Sequence, residues 1–514
     1  MRRSKALVTG VLGGLLVATS GCLSTSRGIS ELEVEIPDRW SSQEGGQEAA
    51  PDEHPWWESF GDARLSDLIE EALEHNQDLV AAEARLRQAE QRARIAGADL
   101  KPQLSAGLNG SRSRRNFIGF PFPGGEEQVS SSTTTNFGVS LDISWEVDLW
   151  GRLRAGHVAS RADFRAASWD LEGARLSLAG QTAKAWFALT EAQHQVMLAQ
   201  QTRASRQDTA AMIRRRYEQG LRSSVDLRLA SAGDATALAA VAARERQLDG
   251  ARRQLEVLLG RYPSGEVAPA EDWTEALEPV EPGLPAQLLA RRPDLRAAQQ
   301  RMVARDAQVS QAKGALLPTL RLTGGAGQSG EELADLLDGD FSVWSLAAGL
   351  LQPLFQGGRL RAGVSLAEAS RDEVLASYFQ AALRAFGEVE MALVSGEFLA
   401  RQEEALAEAA KQAQGAEEVS QQRYVAGLAD YLEVLESQRQ AVDFQSRYLD
   451  LRRQRLASRV DLYLALGGGF SSAREGLEQP MGATDASPGT AGAGAGLSAE
   501  SVSTENGSIG TTSR

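Results

Sequence analysis

Two periods of hydrophobic and polar residues follow one another along the chain in a fixed order. Residues 62–98 place apolar side chains at helical spacing among Ala, Arg, Glu, Leu and Gln. Apolar residues then alternate with polar or small ones over 104–109 and 137–145, which is the period of strands with one apolar face. Helical spacing returns over 151–218 and 224–259. The pattern predicts a helix, two strands and two further helices.

The same order of elements occurs twice. Residues 151–156 recur without change at 358–363, which is 207 positions later. A second motif recurs at the same offset, as Arg216-Tyr217-x-x-Gly220-Leu221 and Arg423-Tyr424-x-x-Gly427-Leu428. Matches in the preceding helices have an offset of 216, so the first copy contains a longer loop, which we place at 111–133. The chain therefore consists of two tandem copies of one unit.

This repeat divides the chain into segments. The predicted boundaries are a signal peptide at 1–21, a lipidated N-terminal segment at 22–60, repeat 1 at 61–262 with strands near 103–110 and 134–147, a linker at 263–284, repeat 2 at 285–467 with strands near 319–325 and 341–352, and a tail at 468–514. Gly, Ala, Ser and Thr dominate the tail, which predicts disorder there.

Long and short helices alternate in each repeat, and their lengths are related. Residues 151–218 and 358–425 each predict a helix roughly 100 Å long. The two shorter helices of a repeat together have about the same length, so two stacked short helices span one long helix. These helices are rich in alanine and have narrow apolar stripes. This favours the wall of a cylinder over a solid bundle, which needs a broader apolar face and does not explain the strands.

The strands predict contact with a membrane. On the second strand Leu141, Ile143 and Trp145 alternate with polar residues such as Ser140, so one face suits lipid and the other suits water. Four strands cannot close a barrel alone, since the smallest membrane barrels have about eight, and several chains must therefore contribute. Trp145 and Trp150 either anchor at the membrane interface or pack in a core, and the sequence leaves both possibilities open.

Composition excludes several classes of function. The 514 residues carry a net charge of −15, and the basic residues are spread along the chain, which disfavours nucleic-acid binding. A single cysteine and four scattered histidines exclude a disulfide framework and provide no metal-ligand spacing. Gly325-x-Gly327-x-x-Gly330 matches a dinucleotide fingerprint, but no βαβ unit surrounds it. No Walker or Gly-x-Ser-x-Gly sequence occurs either, so no enzyme activity, cofactor or metal is expected.

The N-terminus predicts export from the cytoplasm. Arg2, Arg3 and Lys5 precede an apolar stretch that ends shortly before Cys22, which has the form of a secretion signal. The cysteine resembles that of a lipobox, which implies lipidation of Cys22, and Leu23 after it favours sorting to the outer membrane. The alternative is an ordinary signal peptide in which the cysteine is incidental.

Four groups of residues resemble TolC-like outer membrane efflux proteins, in particular the lipoprotein (NodT-type) branch that works with resistance-nodulation-division pumps. The resemblance covers roughly 55–467. The four groups are Trp57-x-x-Phe60-x-Asp62-x-x-Leu65-x-x-Leu68-Ile69-x-x-Ala72-Leu73-x-x-Asn76-x-Asp78-Leu79, Trp145-Glu146-Val147-Asp148-Leu149-Trp150-Gly151-Arg152, Arg291-Arg292-Pro293-Asp294-Leu295 and Phe355-x-x-Gly358-Arg359.

The resemblance implies a mostly α-helical chain with a membrane β-barrel, in which a homotrimer closes twelve strands above a periplasmic tunnel about 100 Å long. It implies a lipid-anchored outer membrane channel that contacts outer membrane lipid and exports small molecules such as drugs or toxic compounds. A periplasmic adaptor (membrane fusion) protein and an inner-membrane pump are the implied partners, and 263–284 belongs to an equatorial belt. Two alternatives stay open: the conduit of a type I protein secretion system, and a lipid-anchored coiled-coil scaffold, against which the strands count.

The two repeated Arg-Tyr motifs lie where each long helix turns into its partner. Gly220 and Gly427 are predicted to cap the C-termini of the long helices. The resemblance adds that these turns form the periplasmic tip of the tunnel. The residues then expected to contact the adaptor are Gly220, Leu221, Arg222, Ser223, Gly427 and Leu428.

Charged residues next to these turns predict an aperture. Three symmetry copies of an acid around a narrow pore would select cations, and Asp226, Asp430 and Glu436 are the candidates. Side chains that would pair with such acids and hold the tip closed are Arg216, Arg423, Tyr217 and Tyr424. The alternative is that the acids lie on a solvated outer face and that the arginines and tyrosines cap and pack helices.

Overall fold

A computed structural model of the protein describes residues 37, 39–42, 55–117, 130–270, 272–273, 280, 283 and 285–468. The predicted signal peptide, Cys22 and the tail after Gly468 lie outside the described residues, as does much of the linker at 263–284. Within these ranges the chain forms eight α-helices and four β-strands. They are α1 Ala63–His75, α2 Gln77–Ala98, β1 Gln103–Phe117, β2 Ser130–Val147, α3 Arg152–Glu218, α4 Ser224–Leu258, α5 Pro285–Arg291, α6 Pro293–Gly314, β3 Thr319–Gly330, β4 Ser342–Leu351, α7 Arg359–Val425 and α8 Tyr431–Ala465.

The predicted fold class is confirmed: the chain is mostly helical, and each of two tandem repeats contributes two strands. Each long helix has 67 residues, at the place that the hydrophobic spacing predicts. The four strands form one antiparallel sheet in the order β1-β2-β3-β4, so β1 and β4 are its edges. This sheet is incompatible with the alternative of a purely coiled-coil scaffold.

The first predicted helix is interrupted, which the spacing did not reveal. It divides at Asn76, whose side-chain oxygen accepts hydrogen bonds from the backbone N–H groups of Asp78 (2.9 Å) and Leu79 (3.2 Å). Its amide nitrogen donates to the carbonyl of Leu258 at 2.9 Å. Asn76 thus ends α1, begins α2 and attaches both to α4, because an asparagine that caps a helix satisfies N–H groups that have no partner within the helix. In repeat 2 the corresponding break occurs before Pro293.

The strands extend further than predicted: within the expected loop at 111–133, residues 111–117 and 130–133 are strand, and 118–129 lie outside the described residues. β1 and β2 stay paired from Gln103 opposite Ser144 to Phe117 opposite Ser130. The outer part of this hairpin carries arginines and hydroxyl side chains, so it shows no apolar alternation. Backbone hydrogen bonds hold the ladder irrespective of side-chain polarity, and the strands therefore continue.

One face of the sheet is apolar and the other is polar, as the alternation predicted. Leu108 lies opposite Val139, and Leu141 lies opposite Ala326, so these residues share a face. Ser140 and its alternating neighbours occupy the opposite face. At the helical end, Trp145 Nε1 donates to the Leu100 carbonyl at 3.1 Å, and Trp150 Nε1 donates to the Pro318 carbonyl at 2.7 Å. Both tryptophans therefore attach the sheet to the connections that lead to and from the helices.

The largest core packs the start of repeat 1 against α3 and α8. Trp56 stacks on Tyr463 with a distance of 5.4 Å between ring centroids, and Phe60 packs on Phe187. Trp186 is buried, and its Nε1 donates to an Asp62 carboxylate oxygen at 2.8 Å. A second core contains Trp40, whose Nε1 donates to the Gly283 carbonyl at 2.9 Å.

Among the described residues no helix is both long enough and apolar enough to span a membrane.

Candidate functional site at the two helix turns

The connections α3–α4 and α7–α8 have the same backbone geometry. In the first, the N–H of Leu221 donates to the Arg216 carbonyl at 2.8 Å, and the N–H of Gly220 donates to the Tyr217 carbonyl at 2.9 Å. The equivalent bonds of the second join Leu428 to Arg423 at 2.8 Å and Gly427 to Tyr424 at 3.1 Å. The two glycines have φ angles of 72° and 77°, in the left-handed region that glycine adopts at little cost. The repeated motif thus specifies one helix-ending turn in both copies.

Side chains also begin the helices that follow these turns. Ser223 Oγ accepts a hydrogen bond from the Asp226 N–H at 3.1 Å at the start of α4. At the start of α8 the Asp430 carboxylate accepts from the N–H groups of Leu432 (3.0 Å) and Glu433 (3.4 Å). Both are N-caps, and the negative charge of Asp430 also suits the positive end of a helix dipole.

Arg216 joins the two turns of one protomer. Its guanidinium donates to the carbonyl of Tyr424 at 3.3 Å and to that of Val425 at 2.9 Å, at the end of α7. Carbonyls in the last turn of a helix have no partner within the helix and lie at its negative end. A cation that binds two of them therefore holds the C-terminus of α7 against the C-terminus of α3.

A buried pair of tyrosines lies beneath this junction. Tyr424 is 1% exposed, and its ring lies 5.9 Å from that of Tyr431. The guanidinium carbon of Arg222 lies 4.5 Å from the centre of the Tyr424 ring, within cation–π distance. Burial raises the pKa of the Tyr424 hydroxyl, against the opposing effect of Arg222, so the group is neutral at physiological pH. Within the described part of the chain, this hydroxyl has no hydrogen-bond partner.

Two of the three acidic candidates, Asp430 and Glu436, are engaged on their own helix. Glu436 pairs with Arg439 at 2.7 Å, and its pKa is lowered to about 2 by the hydrogen bonds from Arg439 and Gln440. Arg423 pairs with Glu433 at 2.9 Å. Within one protomer, neither Arg216 nor Arg423 binds Asp226, Asp430 or Glu436. The expected pairing of Arg216 and Arg423 with the three candidate acids is therefore absent within one protomer.

Apolar side chains project from the turns. Leu221 is 68% exposed and Leu428 is 71% exposed, and both occupy the same position in the repeated motif. Val225 and Leu432, in the first turns of α4 and α8, are also mostly exposed. Tyr217 is 42% exposed, although its counterpart Tyr424 is buried. The two glycine turns thus present an apolar surface.

Polar side chains form a layer behind the buried tyrosines. The side-chain amides of Gln421 and Gln438 both donate to Ser205 Oγ at 3.3 Å, which connects α7 and α8 to α3. Ser420 and Ser437 lie 2.6 Å apart through their hydroxyl oxygens. A polar cavity of about 150 Å³ adjoins this layer. In this layer the helices α3, α7 and α8 are therefore joined by hydrogen bonds, and a cavity remains between their side chains.

Sequence reasoning missed three contributors, namely the cation–π contact of Arg222, the burial of Tyr431 and the ion pair of Glu433. A comparison of the two repeat copies could have pointed to these residues. At the offset of 207 residues, Tyr431 corresponds to Ser224, and Arg222 corresponds to Ala429. Positions that differ next to an otherwise repeated motif are the ones that make the two turns structurally different.

No group of His, Cys, Asp and Glu suited to holding a metal ion occurs among the described residues.

The chain matches known proteins over most of its length. The profile described as outer membrane efflux protein matches residues 68–261 and 284–468. The pyoverdine export outer membrane protein OpmQ of Pseudomonas putida is 34% identical over 86% of this chain and 93% of its own length. The outer membrane protein OprJ of Pseudomonas aeruginosa is 32% identical over 90% of this chain and 97% of its own. A crystal structure of a membrane protein from Pseudomonas aeruginosa is 30% identical, with a TM-score of 0.78 over 86% of this chain and 99% of its own.

Proposed function

Because this chain belongs to the outer membrane efflux protein family, it is the outer membrane channel of a tripartite efflux system, and we propose that its two helix turns form the periplasmic end that closes the channel. Three copies make the channel, and a periplasmic adaptor and an inner-membrane pump complete the system. The family is one of efflux channels, which favours this function over type I protein secretion.

The observation that carries this proposal is the position of Arg216. Its two hydrogen bonds hold the ends of α3 and α7 together at the turn. Arg222 covers the Tyr424 ring beside it. Opening a tunnel made of these helices requires their ends to separate. A few charge-assisted hydrogen bonds suit such a reversible closure, because they stabilise the closed state and can still be broken when the ends separate.

The exposed leucines at the turns supply the surface for the adaptor. Leu221 and Leu428 repeat in both halves of the chain, so a trimer presents six such positions around its end. An exposed apolar side chain next to a glycine turn allows a partner helix end to approach closely. The backbone of this contact surface comes from Gly220 and Gly427. Its polar edge comes from Arg222 and Ser223.

Asp430 and Glu436 contribute negative charge near the pore. The carboxylate of Glu436, with a pKa of about 2, stays charged throughout the physiological range, because deprotonation is complete well above pH 2. Asp430 is the N-cap of α8, and Asp226 lies in the first turn of α4. Three copies of each would favour cations at a narrow aperture.

The remaining parts of the function follow from the N-terminus and the cargo. Lipid on Cys22 would anchor each protomer to the outer membrane, although Cys22 lies outside the described residues. The chain itself carries out no hydrolysis, and energy comes from the inner-membrane pump. The conduit takes small molecules that the pump delivers.

Single-channel recording in planar bilayers tests the aperture. Asp430→Ser keeps a capping oxygen and removes the charge, and combining it with Glu436→Gln should change conductance and lower the preference for cations. Asp443→Asn is the matched control, since Asp443 is a half-exposed acid of α8 that pairs with Arg447 one turn away. Unchanged conductance and selectivity in an intact trimer would place these acids on the outer face.

A further inference from the structure

The two edges of the sheet carry opposite charge at the end that lies away from the helices. Among the described residues of the first hairpin beyond Asn109, Arg112, Arg114 and Arg115 are charged and no acid occurs. The connection between β3 and β4 contains five acids and no base, namely Glu331, Glu332, Asp335, Asp338 and Asp340. Since β1 and β4 are the edge strands, closing the sheet with further copies brings these charges together.

From this arrangement we propose that Arg114 of one protomer forms an ion pair with Asp340 of the next at the outer rim of the trimer. The inference rests on the trimeric channel described under Proposed function. It adds a specific contact between copies, which is supported by the strand register, the strand tilt and free hydrogen-bonding groups.

The register within the protomer limits how a second copy can pair. Ala106 of β1 lies opposite Leu141, Leu141 lies opposite Ala326, and Ala326 lies opposite Trp344 of β4. Even-numbered residues of β1 and of β4 therefore share the apolar face. A slip of one residue would turn one strand's apolar side chains toward the channel. Pairing between copies must therefore place even-numbered residues of β1 opposite even-numbered residues of β4.

Strand tilt limits the pairing further. If Trp344 lies opposite Gly110 of the next copy, each protomer adds a stagger of four residues, and if it lies opposite Arg112 the stagger is six. With about 3.4 Å per residue and about 4.8 Å between strands, these staggers tilt the strands by about 35° and about 47°. Membrane barrels have tilts of about 35–45°. A stagger of four in the opposite direction would place Leu350 opposite residue 96, which belongs to α2.

Both permitted registers bring the same two side chains together. With the stagger of four, Arg112 lies opposite Ser342, the first residue of β4, and Arg114 lies beyond it beside Asp340, which belongs to the 3-10 turn Gly339–Phe341 that leads into β4. With the stagger of six, Arg114 lies opposite Ser342 and is the diagonal neighbour of Asp340. An arginine side chain is long enough to reach a direct or a diagonal neighbour across two strands.

The groups on both sides are available for this contact. Arg114 donates one hydrogen bond to Ser131 Oγ at 2.9 Å, and the other N–H groups of a guanidinium remain free to donate. Asp335 and Asp338 accept backbone hydrogen bonds from Glu332 (2.9 Å) and Asp340 (3.1 Å). The Asp340 carboxylate itself has no partner among the described residues of its own protomer, and both Arg114 and Asp340 are exposed.

Charge reversal tests the ion pair in the full-length trimer. Arg114→Asp and Asp340→Arg should each lower the temperature at which the detergent-purified trimer dissociates, and the double variant should recover most of the loss. Arg115 is the matched control, because it points to the opposite face of β1. Arg115→Asp combined with Asp340→Arg should recover nothing. Equal behaviour of the two double variants would overturn the proposal.

Cysteine cross-linking provides a test that does not depend on stability. The chain contains one cysteine, Cys22, so new disulfides between copies are easily recognised. Under oxidising conditions Arg114→Cys should link to Asp340→Cys or to Ser342→Cys, since a disulfide needs a Cα separation below about 7 Å and only a directly opposite pair meets it. Arg115→Cys should link to neither.

The outcomes separate this proposal from the trimer itself. A wild-type trimer in native mass spectrometry, together with no cross-link from either Arg114 pair, would overturn the ion pair and leave the channel intact. A wild-type chain that stays monomeric would instead contradict the proposed function. If Arg114→Asp leaves the trimer unchanged and reduces binding of vesicles that contain phosphorylated lipid A, Arg114 binds lipid phosphate and the proposal is wrong.

Discussion

Replacing Arg216 by leucine should shift the channel toward its open state. The guanidinium makes two hydrogen bonds to the end of α7 and lies 5.6 Å from the Tyr424 ring. Hydrogen bonds to charged groups contribute about 1.5–3 kcal/mol when buried. Arg216 is only partly buried, so we take about 2 kcal/mol for the whole contact. Since about 1.4 kcal/mol is a factor of ten in an equilibrium constant, the closed-to-open ratio should fall roughly 30-fold per protomer.

Single-channel recording measures this change as a higher open probability and a larger mean conductance. Arg216→Lys should be intermediate, because an ammonium can donate to one carbonyl but cannot span both as a planar guanidinium does. Arg215→Leu is the matched control, since Arg215 is an exposed neighbour on the same turn of α3. If Arg216→Leu and Arg215→Leu conduct equally, the contact between α3 and α7 does not hold the closed state.

Three further predictions concern other parts of the chain. Tyr424→Phe should leave thermal stability unchanged or slightly raise it, because the buried hydroxyl has no partner among the described residues, whereas Tyr463→Phe should lower it by removing the 2.8 Å bond to Ser59. Differential scanning calorimetry compares the two. Leu141→Asp should reduce the yield of trimer on native gels, at a cost of no more than about 2–4 kcal/mol per chain, while Ser140→Asp on the polar face should not. Mass spectrometry of the mature N-terminus should find lipid on Cys22, and an unmodified cysteine there would contradict the lipoprotein assignment.

The two copies of one motif show how a repeated sequence acquires two roles. Arg216 and Arg423 occupy the same position, yet Arg216 binds carbonyls of the other repeat while Arg423 pairs with Glu433 on the adjacent helix. Likewise Tyr217 is half exposed and Tyr424 is buried. A fused repeat has no symmetry axis that would keep the copies equivalent. We therefore expect substitutions at paired positions to have unequal effects.

The sequence alone determined the kind and order of the elements. Helical and strand periods are set by neighbouring residues, so the two long helices and the four strands could be read from hydrophobic spacing. The glycine turns were equally local, because Gly220 and Gly427 supply a backbone conformation that other residues adopt only at a cost. The repeat and the family resemblance followed from the same residues.

Tertiary structure decided which side chains meet. The partners of Arg216 lie 208 and 209 positions away, and helix phase alone does not show whether an arginine meets a carbonyl, a ring or a carboxylate. Asn76 divides a helix that the spacing presents as continuous, because its cap also binds α4. The strands continue to Phe117 because the ladder depends on backbone hydrogen bonds. The pattern of polar and apolar side chains does not show such bonds. Periodicity is a local property, whereas long-range pairing depends on how the elements pack, and that is why the turns were predictable and their contacts were not.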